Sequence, residues 1–564
     1  MEIVRRERLA ECEFPDSLHP VLRRVFAQRR IRSADELSYG LDALIPPDTL
    51  GGVDAAAALL AEHFDKRILV IGDFDADGAT STAVALLGLR ALGARHVDFL
   101  VPDRFRFGYG LTPEIVALAA KRDPDLIVTV DNGISSVAGV AAARANGIRV
   151  LVTDHHLAGT TLPDADVIVN PNRPGDLFPS KALAGVGVMF YALLALRKHL
   201  REHGTLPQPE PNLAELLDLV ALGTVADVVP LDHNNRILVH QGLRRIRAGK
   251  CRPGILALID VARRSPVQLG ASDLGFAVGP RLNAAGRLEN MSIGIECLLA
   301  DDPARARQLA AQLDQLNRDR RDIELQMQEE ALAILDRLKL DADLPLALCL
   351  HEAGWHQGVV GIVASRIKDR VHRPVIAFAL DGDTGMLKGS ARSVPGVHIR
   401  DVLDAVATRN SGLIDKFGGH AMAAGLSLAA DRLEEFAAAL NAELARWITA
   451  EELRGIVHSD GELSAEDLCL VCAEALREAG PWGQGFPEPM FDGAFDVRGR
   501  KIVGERHLKL QLGVSGGDTV LEAIAFNQAA FAAVDRVRAV YRLDVNEWQG
   551  RRSPQLVIEH LFPA

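Results

Sequence analysis

The sequence predicts an α/β chain built from a parallel-sheet domain, a long connecting helix, a second α/β domain and a C-terminal β-barrel. Three observations carry that expectation. Between about residues 51 and 300, short apolar runs alternate with helical segments, the pattern of a parallel sheet covered on both faces. From Pro303 to about Leu340 no glycine or proline interrupts the chain. Beyond about residue 455 the pattern shifts to short strand-like segments separated by turns.

The chain has 564 residues, 48% of them hydrophobic, enough for several buried cores. No apolar run reaches membrane-spanning length without a charge or a helix breaker. The segment Met1-Glu2-Ile3-Val4-Arg5-Arg6-Glu7-Arg8 lacks the apolar region of a signal peptide, so a cytoplasmic protein is expected. Six cysteines in a chain of this length do not make a disulfide framework. Cys469 and Cys472 have CxxC spacing, but no second pair lies nearby, and their amphipathic segment points to packing. A net charge of −12 argues against a protein coated in basic surface; a local basic groove remains compatible with it.

Residues 1–50 carry mixed charge and helical segments such as Leu18–Gln28, and read as an N-terminal extension. A helix over Val53–Phe64 precedes the strand Ile68–Ile71. That strand ends in Asp73, Asp75 and Asp77, then Gly78 and a helix through Leu87. A polar turn is one reading, but it needs one aspartate rather than three. Like charges this close repel, and a divalent cation removes the repulsion because carboxylates are hard ligands. Further strands are expected at Val97–Val101, Leu126–Val130, Val150–Thr153 and Val167–Val169. In such sheets ligands bind at the carboxyl ends of the strands. Leu126–Val130 ends in Asp131-Asn132-Gly133, and Val150–Thr153 ends in Asp154-His155-His156. A helix over Asn212–Leu222 leads to Asp227, whose apolar context suggests a carboxylate held close to the core. Taken singly, Asp131 reads as a turn residue and His155 as a satisfied core histidine. Three neighbouring strands that all end in Asp or His instead imply a cluster of oxygen and imidazole ligands on one sheet edge.

Arg281 and Arg287, six residues apart among small residues, suit a close approach to phosphate; an exposed basic turn is the alternative. Pro303 fits the first position of the long helix, with Asp301 and Asp302 favourable at its N-terminus. Leu309, Leu313, Leu316, Ile323 and Leu325 give it a broken apolar stripe, and Arg318, Arg320 and Arg321 a solvated face. In the second α/β domain, strands Leu346–Leu350 and Val375–Leu380 flank a helix from near Val360. His351, Trp355, His356, Gly358 and Gly361 cluster about that helix start. A glycine-rich turn, Lys416 to Gly425, allows close approach to its backbone. Paired with Ser390-Ala391-Arg392-Ser393, it fits an anion or a nucleic-acid strand. The tail segments Phe495–Val497, His507–Leu512, Val520–Phe526, Val537–Val545 and Gln555–His560 read as a small barrel.

Asp73-Phe74-Asp75-Ala76-Asp77-Gly78, Val130-Asp131-Asn132-Gly133, Asp154-His155-His156 and Val225-Ala226-Asp227 resemble, in order and spacing, the motifs of the DHH phosphoesterase superfamily. Arg104 with Gly108-Tyr109-Gly110-Leu111 also fits. Within that superfamily the chain is similar to the bacterial RecJ family of single-strand-specific 5′→3′ DNA exonucleases. Leu316-Asn317-Arg318-Asp319-Arg320-Arg321 resembles the start of its connecting helix, and His351–Arg366 with Gly418–Gly425 its DHH-associated domain. The likeness runs from about residue 50 onward, and it makes the barrel an OB-fold. Two positions depart from the family pattern: Phe107 stands where an acidic residue is usual, and Phe486 where Asn is common.

The resemblance implies a layout of extension 1–50, catalytic DHH domain 51–300, connecting helix 301–343, substrate-binding domain 344–454 and OB-fold 455–564. It implies two-metal hydrolysis of single-stranded DNA to mononucleotides from the 5′ end, with two Mn²⁺ or Mg²⁺ ions about 3.5–4 Å apart. Asp75 would hold one ion and Asp77 the other, Asp131 would bridge them, and His155 and Asp227 would complete the second site. Asp73 is a further ligand or a carboxylate behind the ligands. His156 would contact the phosphate or the leaving group, with Asp154 orienting the histidine pair. Arg104, Tyr109, Arg281, Asn283, Arg287, Ser390, Arg392, Gly419 and His420 are the candidate substrate contacts. Single-strand-binding protein and a helicase are the implied partners, with no membrane and a monomeric chain. Two rivals compete. A DHH enzyme for short oligonucleotides, cyclic dinucleotides or pyrophosphate needs neither the long helix nor the barrel. A non-enzymatic DNA-binding scaffold would have lost the ligand residues, and all of them are present.

Overall fold

A run of hydrophobic residues with no polar alternation can be buried on both faces only in the middle of a covered sheet. Leu126–Val130 is such a run, and all five residues are buried. The computed structural model describes residues 1–102, 110–337, 344–382, 384–449, 453, 455–514, 519–531 and 533–564. The chain divides into two compact units, Val4–Asp314 with His458–Ala564, and Gln315–Val457 with Met1–Ile3.

The first strand, β1, is Glu2–Arg5. Next come β2 (Arg67–Ile71), β3 (His96–Leu100), β4 (Leu126–Val130), β5 (Arg149–Thr153) and β6 (Val167–Val169). The last five form one parallel sheet in the order β3-β2-β4-β5-β6. The three strands that end in acidic or histidine motifs, β2, β4 and β5, are therefore adjacent, and their carboxyl ends share one edge. Helix α1 is Pro20–Gln28 and α2 is Ala76–Leu92; α3 (Gly185–Glu202) and α4 (Leu217–Ala226) bury most of their length. The expected helix Asn212–Leu222 is instead a 3₁₀ turn, Leu213–Leu216, followed by α4. Asn212 caps that turn by accepting from Ala214 N, and the regular helix starts later and ends at Asp227, its C-cap.

In the second unit, β7 (Leu348–His351) pairs in parallel with β8 (Val375–Leu380). The sheet continues antiparallel through β9 (Met386–Arg392), β11 (Ala423–Ala429) and β10 (Lys416–Gly419). The expected glycine-rich turn is thus mostly a strand pair, with Gly418 opposite Gly425 and Gly419 opposite Ala424. Backbone pairing there does not depend on side chains, so composition hid it.

Strand β12 is Ile456–Ser459. The barrel closes with β13 (Phe491–Val503), β14 (His507–Val514), β15 (Val520–Ala525), β16 (Arg536–Trp548) and β17 (Arg551–Pro563), in the order β13-β14-β15-β17-β16. Closure comes from the parallel β15–β17 pair, which leaves no open edge.

Residues 4–50 belong to the packing of the unit that holds the barrel. The apolar face of α1 buries Val21, Leu22, Val25 and Phe26. The Phe26 ring stacks on Trp482 and Phe486, with centroids 5.9 and 6.3 Å away. Trp482 and Phe486 are themselves stacked at 5.0 Å, and the Arg236 guanidinium lies 4.3 Å from the Phe486 centroid. The family departure at Phe486 is therefore a buried member of an aromatic stack. Beside it, Arg29 sends Nη1 and Nη2 to the two oxygens of Asp460 at 2.6 and 2.9 Å, and both side chains are buried. Arg29 Nε and Nη2 also donate to the Pro487 carbonyl.

At the barrel, Asp492 is fully buried and accepts from Arg5, Ser459 and Arg538. Burial opposes its charge, but the hydrogen bonds from Arg5, Ser459 and Arg538 win and hold its pKa down at about 2. A depressed carboxylate contributes stability above its unfolded pKa and loses it as pH falls toward the folded one. We expect Asp492→Asn to unfold at a lower temperature than wild type at pH 7. The gap should narrow between about pH 4 and pH 2. A gap constant across that window, measured by circular dichroism, would contradict the assigned charge.

Candidate metal centre

Asp73 and Asp75 leave β2 and enter α2. Asp75 is the N-cap of α2, and its Oδ1 accepts from Gly78 N at 2.9 Å. Asp73 is buried, and its Oδ1 accepts from Phe74 N. Asp77, buried in the first turn of α2, accepts from Gly185 N at 2.7 Å and Val186 N at 3.0 Å. The amide end of α3 thus holds a carboxylate in place.

Asp131 follows β4 in a left-handed conformation, φ 61°, with its amide bonded to the Thr153 carbonyl. Asn132 ties the turn down by donating to the Ile71 and Val130 carbonyls. Gly185 packs on Asp131 so closely that a Cβ there would lie 2.6 Å from Asp131 Cβ and Oδ1. After β5, the buried Asp154 accepts from the amides of Ile134, His155 and His156 and from His156 Nδ1 at 2.8 Å. Asn170 and Asn172 donate to the His156 and His155 carbonyls and fix that loop from the far side.

These segments converge. His155 Nε2 lies 3.1 Å from Asp131 Oδ1 and 3.4 Å from Asp227 Oδ2. Three sets of donor atoms each fall within 4.8 Å of one another: Asp131, His155 and His156; Asp77, His155 and Asp227; Asp73, Asp75 and Asp131. Asp131 belongs to two sets and His155 to two.

The electrostatics follow from the crowding. Burial pushes Asp131 and Asp227 well above the usual carboxylate range, and the neighbouring charges of Asp77 and Asp75 push them further. Burial, then Asp75, raises Asp77 to about 7, against the amide bonds from Val186 and Gly185. For His156 the balance tips toward the charged form. Burial lowers its pKa, but the bond to Asp154 and the charges of Asp154, Asp73 and Asp75 raise it to about 9. Its partner Asp154 ends below the usual value: burial raises it, and the bond and charge of His156 outweigh that. The site therefore pairs one imidazolium with a group of mutually repelling carboxylates. Asp227 Oδ2 is buried and makes no hydrogen bond among the described residues. Hard carboxylate oxygens with one imidazole, crowded and turned toward one another, fit divalent cations such as Mn²⁺ or Mg²⁺.

The substrate candidates divide. Asn283 Oδ1 accepts from Ala76 N at 2.7 Å and so braces the aspartate loop. Arg281 is engaged with Asp314 and the Ala277 carbonyl. Arg287 is half-buried in helix α5 (Gly279–Leu288). In the second unit, Arg392 donates to Ser390 Oγ at 3.0 Å, and burial lowers its pKa. Gly361, at the start of helix Val360–Val371, faces both, since a Cβ there would lie 2.8 Å from Arg392 Nη2 and 2.9 Å from Ser390 Oγ. Gly419 ends β10 at φ 144°, and His420 follows with its amide on the Ala423 carbonyl. Arg104, Phe107 and Tyr109 lie outside the described residues. Sequence reading passed over Gly185, Val186, Asn170 and Asn172, which act through backbone contacts. The one visible signal was the small-residue start of α3, Gly185-Val186-Gly187-Val188.

Comparison with known proteins bears on the family and the fold. The DHH family, N-terminal domain, matches residues 67–224, the DHHA1 domain 344–446 and the RecJ OB domain 459–560. The single-stranded-DNA-specific exonuclease RecJ of Dickeya dadantii is 57% identical over 570 residues, 99% of each chain. That of Escherichia coli is 53% identical over 573 residues, 100% of this chain and 99% of the other. The crystal structure of RecJ in complex with Mn²⁺ from Thermus thermophilus superposes with a TM-score of 0.79 at 32% identity, over 98% of this chain and 80% of that one.

Proposed function

The chain belongs to the RecJ family of the DHH superfamily, and from that premise we propose that it is a single-stranded-DNA-specific exonuclease. It degrades the strand from its 5′ end to mononucleotides in DNA recombination and repair. The observation that supports the reading is the cluster itself: Asp73, Asp75 and Asp131 form one group of potential metal ligands, Asp77, His155 and Asp227 another, and His155 Nε2 lies 3.1 Å from Asp131 Oδ1.

In this reading two divalent ions, Mn²⁺ or Mg²⁺, supply Lewis acidity and a nucleophilic water when bound. Asp75 would hold one ion and Asp77 the other, and Asp131 would serve both. His155 and Asp227 would complete the second site, with Asp73 a further ligand or a carboxylate behind the ligands. Asp154 orients His156 through its Nδ1, and the imidazole would contact a phosphate oxygen or the leaving oxygen. Residues 51–300 form the catalytic part and 301–343 the connecting helix. The segments 344–454 and 455–564 hold the strand, with 1–50 an N-terminal element. Arg104, Tyr109, Arg287, Ser390, Arg392, Gly419 and His420 contact substrate phosphates; Arg281 and Asn283 support them. Single-strand-binding protein and a helicase are the proposed partners of a monomeric, cytoplasmic enzyme. Among the described residues no helix is long and apolar enough to cross a membrane.

The test is a time course on 5′- and 3′-labelled single strands with duplex controls, in EDTA and after Mn²⁺ or Mg²⁺ is restored. We expect hydrolysis of single strands only, silenced by EDTA and recovered with metal. The 5′ label should appear at once as mononucleotide, while the 3′ label stays on a shortening strand. Turnover by rigorously metal-free enzyme would sink the two-metal chemistry, and early loss of the 3′ label would reverse the polarity.

A further inference from the structure

A short π-helical turn, Leu274–Val278, runs directly into α5. One side of this rod rests on two of the segments that carry the metal-binding candidates. A Cβ on Gly275 would lie 3.2 Å from Val225 Cγ1, and one on Gly279 would lie 3.1 Å from Ala226 Cβ, just before Asp227. Further along, Asn283 holds Ala76 N, and a Cβ on Gly286 would lie 1.7 Å from the Phe74 carbonyl oxygen. The rod is therefore fixed to the acidic cluster at both ends. Next to Gly275, the Phe276 side chain is turned outward and is 82% exposed. Val228, adjacent to Asp227 and at φ 61°, is also turned out, 63% exposed. Two apolar side chains thus stand in water, one on the rod that rests on the Val225-Ala226 segment and the other next to Asp227 in sequence. The other exposed aromatic side chains among the described residues are already engaged: Phe526 edge-on with His507, and Trp447 through its indole N–H to Glu443.

An exposed phenyl ring on a rigid support offers one thing to single-stranded DNA, a flat face for a nucleobase. Stacking is indifferent to base identity, which suits an enzyme that must accept every base in turn. We propose that Phe276 stacks on a nucleobase of the bound single strand and positions it beside the metal centre, resting on the exonuclease reading above. Phe276 is a positioning residue and takes no part in bond breaking, so its loss should appear in substrate capture rather than in the chemical step.

The experiment compares wild type, Phe276→Ala and Phe276→Trp on a single-stranded oligonucleotide and on one of equal length whose bases are replaced by abasic residues. On the natural strand Phe276→Ala should raise KM about tenfold with kcat within about twofold, and Phe276→Trp should restore KM. On the abasic strand the three enzymes should be alike. An unchanged KM for Phe276→Ala on the natural strand, or an equal defect on the abasic one, overturns the stacking role while the exonuclease reading stands. A wild-type enzyme inert toward single strands would remove both together.

Discussion

Asp131→Ala is expected to lower the rate of single-strand hydrolysis by roughly 10³-fold or more, because it removes the carboxylate proposed to serve both metal ions. Binding of a single strand should survive in part, since the proposed substrate contacts lie on other residues. The backbone complicates the alanine variant. Asp131 sits at φ 61°, and a left-handed alanine costs about 1–2 kcal/mol more than an aspartate-like residue. Asp131→Asn avoids this, because it keeps the shape and tolerates that conformation while lacking the charge. Both variants should be nearly inactive, and Asn should be the more stable. Burial and the charges of Asp77, Asp75, Asp227 and Asp73 all act against the Asp131 carboxylate. Without metal, Asp131→Asn should therefore unfold at or above the wild-type temperature. Added Mn²⁺ should stabilise wild type by mass action and the variant much less. Full activity in either purified variant would refute the shared-ligand role.

Arg29→Ala should destabilise the protein by about 3–5 kcal/mol, the cost of leaving a buried partner charge uncompensated. The partner is Asp460, which would keep its bond to Met490 N and a distant contact with Arg6 but lose both short bonds to the guanidinium. The Pro487 carbonyl would lose its donors as well. A well-packed apolar pair of similar volume often matches a buried ion pair. The double variant Arg29→Met/Asp460→Leu should therefore recover much of the loss. Thermal unfolding followed by circular dichroism decides the matter: a single variant that melts with wild type would show that the pair contributes nothing net.

Much of the acidic and histidine cluster was legible because its signals are local. Asp73, Asp75, Asp77, Asp131, His155 and Asp227 each follow an apolar element, and β2, β4 and β5 lie side by side in the sheet. Leu126–Val130, Val167–Val169 and Val375–Leu380 were readable to the residue because each is a continuous run dominated by apolar, largely β-branched residues. What escaped depends on long-range contacts. The contact of Asn283 Oδ1 with Ala76 N spans 207 positions, and the ion pair of Arg281 depends on the approach of Asp314; neither leaves a local sequence signal. The hairpin through Gly418 and Gly425 was hidden because glycine carries no side-chain pattern. The strand Phe495–Val497 proved to run from Phe491 to Val503, its far half exposed and charged.

The Arg29–Asp460 pair also sets an order of events at the ribosome. The two residues are separated by 431 positions. At the usual pace of synthesis, about 5–20 residues per second, Arg29 emerges roughly 20–90 s before its partner. The β2–β6 sheet can form in that interval from its own strands, whereas the helix Pro20–Gln28 cannot find Trp482, Phe486 or Asp460. Its apolar face stays open to water or to a chaperone until the segment before the barrel arrives. The first helix made is thus among the last to be seated, and a chain truncated before residue 460 would display Phe26 permanently to the quality-control machinery.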